Sequence, residues 1–307
     1  IFDIKYWFFN PRLGLNYDYN ENLNLYGFVA LSSREPRMHN LYRAEDSYFG
    51  AKPQFEFKQD ISGNVLYDFS KPIAKPERML DIEVGCNLNL FEIVETNLNL
   101  FFMDYTDELV KTGRLDIFGN PIEENVPKSR HIGAEIQLNW KVIDNQYGRV
   151  DLSCNATISR NRIVDYNFLD YQDSIISFKD NPISGFPDFM SNFRISYTYR
   201  NAYVSLLGQY VGGFRTDNYG DLLTNSQRLI NHLQYLGDYY NDNRIDPYFV
   251  MNLDAGYTFK NLLLAKELRI QLQIKNILNR LYAAGGEGKE FFPAAERSFF
   301  LGFELGL

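Results

Sequence analysis

RSFFLGFELGL, residues 297–307, ends the chain with an alternation of apolar and small or polar side chains. In an extended strand the odd-numbered side chains from Phe299 to Leu307 point to one face. The other face carries Ser298, Gly302, Glu304 and Gly306. A soluble sandwich strand can show this pattern, but it is also what a β-barrel needs to close. We expect the apolar stripe to face lipid, Glu304 to face the interior, and the strand to pair with a segment that precedes this chain.

The composition excludes a helical membrane protein and favours an all-β one. No apolar run is long enough to cross a bilayer as a helix. The mean hydropathy is polar, at −0.33, although aromatic residues make up 16% of the chain. This combination is typical of strands with one face toward lipid, one toward water, and aromatic girdles at the interfaces. A large soluble all-β protein remains the alternative.

The charge and the cysteines exclude further classes of function. The net charge of −8 argues against a nucleic-acid partner, because phosphate binding needs a basic face and no Lys or Arg cluster is present in the sequence. Cys86 and Cys154 fall in the apolar phase of alternating stretches, so we expect small hydrophobic side chains without a disulfide. We expect no metal site and no cofactor.

The whole chain repeats one unit: an alternating strand, a short polar turn, a second strand and a long loop. Counting these units predicts about eleven strands. Long unstructured loops count against a soluble domain, whereas outer-membrane barrels have short periplasmic turns and long extracellular loops. We therefore expect one barrel domain over residues 1–307. Its extracellular loops are predicted at about 32–77, 108–129, 161–187, 213–246 and 283–297.

The predicted strand number is odd, because the first and last strands both run from the long-loop side to the short-turn side. Closed bacterial barrels have an even number of strands. The chain also opens on Ile1 without an initiator Met or a signal peptide. We therefore expect that N-terminal strands, and whatever precedes them, are absent from this chain.

Six segments and the FFPAAERSFFLGFEL end resemble the C-terminal half of the barrel of a TonB-dependent outer-membrane receptor. The six, in order, are FFNPRLGLNY (Phe8 to Tyr17), LYGFVALSSREP (Leu25 to Pro36), KPERMLDIEVG (Lys75 to Gly85), NVPKSRHIGAEIQL (Asn125 to Leu138), YVGGFRTDN (Tyr210 to Asn218) and IKNILNRLY (Ile274 to Tyr282). The resemblance covers nearly the whole chain. It implies a transmembrane antiparallel barrel of 22 strands with an N-terminal plug, of which this chain supplies about the last eleven strands.

Two positions depart from the family pattern. Residues 71–74 read Lys-Pro-Ile-Ala where the family often has Asn-Pro-Asn-Leu, which weakens a haem-receptor interpretation. Leu307 stands where the last residue of the family is commonly Phe or Trp. The C-terminal signal for insertion into the membrane therefore departs from the usual one.

The resemblance implies active import of a scarce nutrient, with a ferric siderophore as the expected ligand, across the outer membrane of a Gram-negative bacterium. The ligand would bind the loops and plug, and TonB with its inner-membrane energising complex would remodel the plug. Outer-membrane lipid and lipopolysaccharide are the implied surroundings. A glycan or peptide importer of the same family, with a surface lipoprotein, is one alternative. A passive porin and a soluble all-β binding domain are alternatives of another class.

The sequence carries no enzyme motif: G-x-S-x-G, H-E-x-x-H and a Gly-rich phosphate loop after a strand are all absent. His39, His131 and His232 fall in different loops or loop ends, where we expect solvated side chains. Only His39, beside Arg37 and Tyr42, is a candidate for binding. We therefore expect no catalytic residue.

Glu83 and Glu135 fall in the polar phase of their strands and are expected to face the barrel interior. A wet interior favours polar groups in any case. By resemblance, these are positions at which barrel glutamates hold plug arginines through charge-assisted contacts. The resemblance therefore implies that Glu83 and Glu135 dock the plug.

Loop residues that combine aromatic rings with cations form the expected ligand surface. Such residues suit catecholates, other planar ligands and glycans alike, and contact with lipopolysaccharide explains them equally well. The candidates are Arg34, Arg37, His39, Tyr42 and Arg43 after the second strand, Arg215, Asp217, Asn218, Tyr219, Tyr239, Tyr240 and Arg244 in the late loop, and Phe291, Phe292 and Arg297 in the last loop.

Overall fold

The structure is a computed structural model, and it describes residues 4–43, 52–116, 118–236, 242–262 and 265–306. Within these residues no helix combines the length and the apolar character needed to cross a membrane. The elements in chain order are β1 (Arg12–Asn20), β2 (Leu23–Arg34), α1 (Met38–Leu41), β3 (Tyr42–Arg43), β4 (Lys52–Pro53), β5 (Phe55–Gln59), β6 (Val65–Pro72), β7 (Glu77–Leu90), β8 (Val94–Leu115), β9 (Pro121–Asn145), β10 (Gly148–Asp165), β11 (Asn167–Leu169), β12 (Ile175–Ser177), β13 (Phe189–Tyr199), β14 (Ala202–Val211), β15 (Phe214–Arg215), α2 (Leu222–Asn225), α3 (Gln227–Tyr235), β16 (Arg244–Ile245), β17 (Tyr248–Leu262), β18 (Ala265–Lys275), β19 (Ala283–Glu287), β20 (Glu290–Pro293) and β21 (Ser298–Gly306).

Eleven long strands form one antiparallel sheet, which confirms the predicted strand number. Their order is β1, β2, β7, β8, β9, β10, β13, β14, β17, β18 and β21. Sheet order therefore follows chain order, as in a meander, with short turns and long connections alternating along it. The described part of the sheet is open, with β1 and β21 at its two edges.

One face of the sheet, the apolar face, carries the alternating hydrophobic side chains. In β21 the stripe from Phe299 to Leu305 is strongly exposed, as lipid-facing side chains of a barrel are. Aromatic side chains follow this face at both heights of the sheet. They are Tyr17, Tyr19, Trp140, Tyr197, Tyr257 and Phe259 toward the short turns, and Phe102, Phe189, Tyr210, Phe249 and Phe299 toward the long connections. These are the two aromatic girdles of a membrane-spanning sheet.

The opposite, polar face differs from the expected pattern at the end of the chain. Phe300 lies on this face with Glu304, so the last strand does not carry only small or acidic groups there. The ammonium of Lys275 lies 5.1 Å from the centre of the Phe300 ring. The ring is therefore placed for a cation–π contact on the polar face.

An unbroken row of polar side chains crosses eight strands of the polar face, from the short-turn end of β1 to the long-connection end of β14, and we call it the amide row. Paired residues place it in register from β1 to β14. Its members are Asp18, Asn24, Asn87, Asn97, Gln137, Asn155, Asn192 and Gln209. In β1 to β8 each amide donates to its neighbour, with N···O distances of 2.6, 3.0 and 2.7 Å. The row thus links four strands through side chains as well as backbone.

The prediction of a loop over 108–129 is wrong about local structure, because most of these residues continue β8 and β9. β8 continues to Leu115 and β9 begins at Pro121, so only a tight connection remains between them. We call residues 108–126 the arm. Val110 and Val126 are buried there although the lipid-type alternation has ended. Beyond the lipid, neither face of a strand needs to be uniformly apolar, so the pattern that marks a membrane strand is lost.

The other four predicted loops coincide approximately with connections between strands of the main sheet. They are not irregular, because they contain the two-stranded sheets β3–β4, β5–β6, β11–β12, β15–β16 and β19–β20. Their extracellular location stays a prediction.

Candidate functional site

The arm is the scaffold on which the late connections pack. Val110 and Val126 come from the arm and Ile163 from the end of β10, and all three are buried. The connections add Ile176, Phe178, Ile183, Leu223, Leu229 and Leu233 to the same core. We call the arm and the described residues of 161–187, 213–246 and 283–297 the loop assembly.

Helix α3 enters this core through one face. The Ser226 hydroxyl accepts a hydrogen bond from the backbone N–H of Leu229 at 3.3 Å and so caps the start of the helix. Leu229 and Leu233 are four residues apart and therefore lie on the same side, where both are buried. This orientation places His232 of α3, and Leu236 just after the helix, at the edge of a cavity.

A cavity of about 270 Å³ opens beside the core, and we call it the loop pocket. Phe178 lies at the centre of its aromatic wall. The centre of its ring is 5.0 Å from that of Phe168, 5.3 Å from that of Tyr166 and 5.6 Å from that of Tyr219. Such rings accept a planar apolar group by edge or face contact.

Three polar groups complete the lining of the loop pocket. A guanidinium nitrogen of Arg114 lies 2.7 Å from a carboxylate oxygen of Glu124, and both side chains are partly exposed. The Nδ1 atom of His232 accepts the backbone N–H of Tyr171 at 3.0 Å, which leaves Nε2 as the donor of the neutral ring. The pocket therefore offers a cation, an anion and a neutral donor around an apolar space.

A buried polar network ties the arm to the late connections, and we call it the interloop lock. The Asn243 amide donates to Asp217 at 2.6 Å, and the backbone N–H of Gly113 donates to Glu287 at 2.9 Å. The Lys111 ammonium lies 3.4 Å from the second oxygen of Glu287. Burial raises the pKa of Asp217 to about 6 and also raises the pKa of Glu287. Among the described residues, no three His, Cys, Asp or Glu side chains are grouped to hold a metal ion.

The first group of predicted ligand residues lies away from the loop pocket. Arg34 is at the end of β2, 2.9 Å from Glu77. His39 lies on α1 with its Nε2 atom 3.0 Å from Glu123 of the arm. The other members are Arg37, which is exposed at the start of α1, Tyr42, whose ring tilts on Phe55, and Arg43, whose side chain lies outside the described part of the structure.

The second group is divided between the interloop lock and the loop pocket. Asp217 is fully buried in the lock, so it has no surface for a ligand in this conformation. Arg215 is paired with Asp221 at 2.7 Å and with Asp242. Of the described members of this group, Asn218 and Tyr219 alone line the loop pocket. Arg244 is exposed on β16, and Tyr239 and Tyr240 lie outside the described residues.

The third group belongs to the last connection. Phe291 and Phe292 are exposed on β20, and Arg297 is exposed just before β21. None of the three lines the loop pocket. Their part in ligand binding stays a prediction.

Sequence reasoning missed the residues that the arm contributes to the loop pocket, and it missed the burial of one histidine. Arg114 and Glu124 fall in a segment that the sequence predicts to be a loop. They come together only because β8 pairs with β9. The expectation of solvated histidines is wrong for His131, which is buried in β9 with Nδ1 2.7 Å from Asn161 and Nε2 3.2 Å from Glu108. A buried strand histidine leaves no sequence signal when its partners are more than twenty residues away.

The two polar-face glutamates lie on neighbouring hairpins. Glu83 accepts a hydrogen bond from the Asn99 amide at 2.9 Å. Asn99 is directly opposite Glu135 in the pairing of β8 with β9. The two carboxylates therefore flank one amide on the polar face.

Comparisons with known proteins agree on the fold. Residues 1–277 match the family model described as TonB dependent receptor-like, beta-barrel. The chain is similar to the closed form of the ferric-catecholate import receptor Fiu from E. coli K12, with 18% identity and a TM-score of 0.59 over 95% of this chain and 34% of that chain. It is similar to the siderophore receptor PiuA from Acinetobacter baumannii, with 15% identity and a TM-score of 0.62 over 95% and 35%. It is also similar to the copper transporter OprC, with 14% identity and a TM-score of 0.61 over 94% and 37%.

A search of curated proteins found no match. The chain spans about a third of the length of the solved structures that it matches. The resemblance read from six motifs is confirmed, and the family and the fold are those of receptors and transporters rather than enzymes. The chain therefore belongs to the TonB-dependent receptor family, whose β-barrels lie in the outer membrane of Gram-negative bacteria.

Proposed function

We propose that this chain belongs to a receptor that imports a ferric siderophore across the outer membrane with energy supplied through TonB. The long connections form the extracellular side, the ligand binds there and on the plug, and remodelling of the plug releases it inward. Fiu is a ferric-catecholate import receptor and PiuA is a siderophore receptor, and both support this ligand class. The copper transporter OprC has the same fold, so the fold by itself does not select the cargo.

The observation that carries the proposal is the loop pocket. Its aromatic wall suits a flat ring such as a catechol, and the Arg114 guanidinium suits the negative charge of a ferric catecholate. His232 adds one hydrogen-bond donor. Glu124 pairs with this guanidinium at 2.7 Å, so an anionic ligand has to share or displace that contact. The aromatic wall favours a ligand that is planar in part over a neutral sugar.

Uptake of radioactive ferric iron by a strain with and without the gene is the first test. The expected result is saturable uptake that is lost when TonB is removed. Uptake that continues without TonB would support a passive porin instead.

The ligand class is tested by binding to the intact receptor in detergent. The probes are a ferric catecholate, a ferric hydroxamate, ferric citrate, cobalamin and a neutral oligosaccharide. Arg114→Gln is expected to weaken binding of the ferric catecholate about tenfold, because one charge-assisted contact is lost. The matched control is Arg228→Gln, since Arg228 is exposed, pairs with Asp170 at 3.6 Å and does not line the pocket. Binding of the oligosaccharide alone would favour the glycan importer with its surface lipoprotein.

We also propose that Glu83 and Glu135 dock the plug, as the family resemblance implies. Their position on the polar face, on either side of Asn99, supports the proposal because a single plug arginine could reach both. Replacing both glutamates with Gln should increase proteolysis of the plug and the leak of small solutes. The idea fails if neither quantity changes.

A further inference from the structure

The loop pocket is graded from a buried apolar end to a charged outer edge. Val110 and Val126 line it and are buried in the core of the loop assembly. Glu124 is directly opposite Val110 in the pairing of β8 with β9, and Arg114 lies further along β8. The side chains of Arg114 and Glu124 are 37% and 31% exposed. A ligand that enters from outside therefore meets the ion pair before it meets the apolar interior.

The formal charges of the loop pocket are balanced. Among the described residues that line it, Arg114 and Glu124 are the only Lys, Arg, Asp or Glu side chains. The His232 ring accepts a backbone N–H through Nδ1, as a neutral imidazole does. The pocket thus combines one cation and one anion with no net charge.

This balance sets a different cost for each class of ligand. An ion pair with this exposure adds little to stability, so a ligand can open it easily. An acid that takes Arg114 removes the cation from Glu124 and places a second anion beside it, in a space that the ligand itself closes to water. An amine that takes Glu124 does the same to Arg114. A ligand with both charges replaces both contacts, so the number of paired charges does not change.

The size of the loop pocket limits the part of a ligand that enters it. Its volume of about 270 Å³ lies at the lower end of small-molecule pockets, which hold about 300–1,000 Å³. This space suits one aromatic ring with its substituents. The aromatic wall around Phe178 offers edge and face contacts to such a ring. The iron centre of a siderophore, where several chelating groups converge, stays outside.

We propose that the loop pocket binds an amphoteric aromatic unit, in which one ring carries an anionic oxygen for Arg114 and a protonated amine for Glu124. A catechol coupled to an amino acid with a free amine is such a unit. Its ring packs against Phe178, and its charged groups stay at the outer edge. This inference rests on the proposed function, because the unit is one arm of the imported siderophore.

The test measures binding of two matched probes to the intact receptor in detergent. They are the ferric complex of 2,3-dihydroxybenzoyl-lysine and that of its Nε-acetyl derivative, which lacks the charged amine. Acetylation is expected to weaken binding to the wild-type receptor about tenfold, because one charge-assisted contact is lost. In Glu124→Gln the two probes should bind equally, since the carboxylate that holds the amine is gone.

Two further variants separate charge from folding. Glu124→Asp keeps the charge and should retain most of the preference for the amine. Glu56→Gln breaks an exposed ion pair outside the loop pocket, where Glu56 lies 3.3 Å from Lys71, and should leave the preference unchanged.

The possible outcomes separate this inference from the proposed function. Equal binding of the two ferric probes by the wild-type receptor would overturn the inference and leave the proposed function standing. A preference for the amine that persists in Glu124→Gln would overturn the role of Glu124. Binding of neither probe, together with no TonB-dependent uptake of iron, would overturn the proposed function and this inference with it.

Discussion

The main sheet and the loop assembly belong to one chain but are stabilised in different ways. The sheet leaves Leu301 and Phe303 more than half exposed, and its apolar face is complete only in lipid. The loop assembly buries Ile163 and Leu229 entirely, as the core of a water-soluble protein does. The membrane replaces a packed core in the first region, while the second has to build its own.

The same difference decides where function can reside. A sheet held by regular pairing can change its outward side chains without altering its shape. The loop assembly has irregular packing, buried acids and the loop pocket, so small changes there alter geometry directly. Ligand specificity and sensitivity to mutation are therefore expected in the same place.

The largest effect is expected from Phe178→Ala. Removing this buried ring leaves a cavity in the loop assembly, so its free energy of opening should fall by about 3–5 kcal/mol. Hydrogen exchange of the backbone amides in the arm and in α3 measures this free energy of opening. Phe303→Ala on the apolar face is the control, because lipid fills the space and loop exchange should not change. Equal hydrogen-exchange rates in the two variants would contradict the difference in stabilisation between the sheet and the loop assembly.

The next effect concerns Gly113, which has a φ of +82° in the arm. A Cβ atom there would lie 2.5 Å from the Cβ atom of Asp217, so Gly113→Ala should destabilise the interloop lock by about 3 kcal/mol. Gly119 has a φ of +79° but open space around it. Gly119→Ala should therefore cost only about 1 kcal/mol. Protease cleavage within 213–236 distinguishes the two, and similar cleavage rates would contradict the proposed contact.

A smaller effect is expected from pH. The pKa of Asp217 is about 6 in the folded protein against an ordinary value of 3.8, so the folded state holds the proton more strongly. The contribution of Asp217 to the stability of the loop assembly is therefore highest below pH 3.8, falls as the pH rises to 6, and then levels off. Between pH 5 and pH 7 the loss should be about 1 kcal/mol by hydrogen exchange.

Asp217→Asn should remove the part of the pH dependence that Asp217 contributes, because its amide resembles the protonated acid in shape. Glu287, whose pKa is also raised, keeps a slope of the same sign. Asp221→Asn is the matched control, since Asp221 is an exposed acid of the same connection. An undiminished pH slope in Asp217→Asn would assign the effect to another group.

The smallest effect is expected in the sheet. Asn87→Ala breaks two side-chain hydrogen bonds of the amide row, and unfolding in urea should show a loss of about 1 kcal/mol. Asn139 lies on the same face, and its side chain makes no hydrogen bond to another described residue, so Asn139→Ala should cost less. A loss as large as that of Phe178→Ala would erase the distinction between the two regions.

The sheet could be predicted from the sequence because the alternation pattern that specifies each strand is local. An alternation such as that of 297–307 states which side chains share a face, and counting turns and loops produced eleven strands. The arm could not be predicted, because Val110 and Val126 are buried by distant connections rather than by lipid. The pairing of two arginines is hidden for a related reason, because Arg130 and Arg162 become neighbours only through the register of β9 with β10.

The amide row has a consequence for the polarity of the sheet's polar face. Seven of its eight members are neutral, and the row runs from the short-turn end of β1 to the long-connection end of β14. The polar face therefore carries a band of hydrogen-bonding groups with almost no fixed charge. Side chains such as Asn97 and Gln137 can exchange partners with water at little cost, whereas an ion pair in the same place would hold a bound anion more firmly. If the proposed import is correct, this band offers a passing solute weak and replaceable contacts.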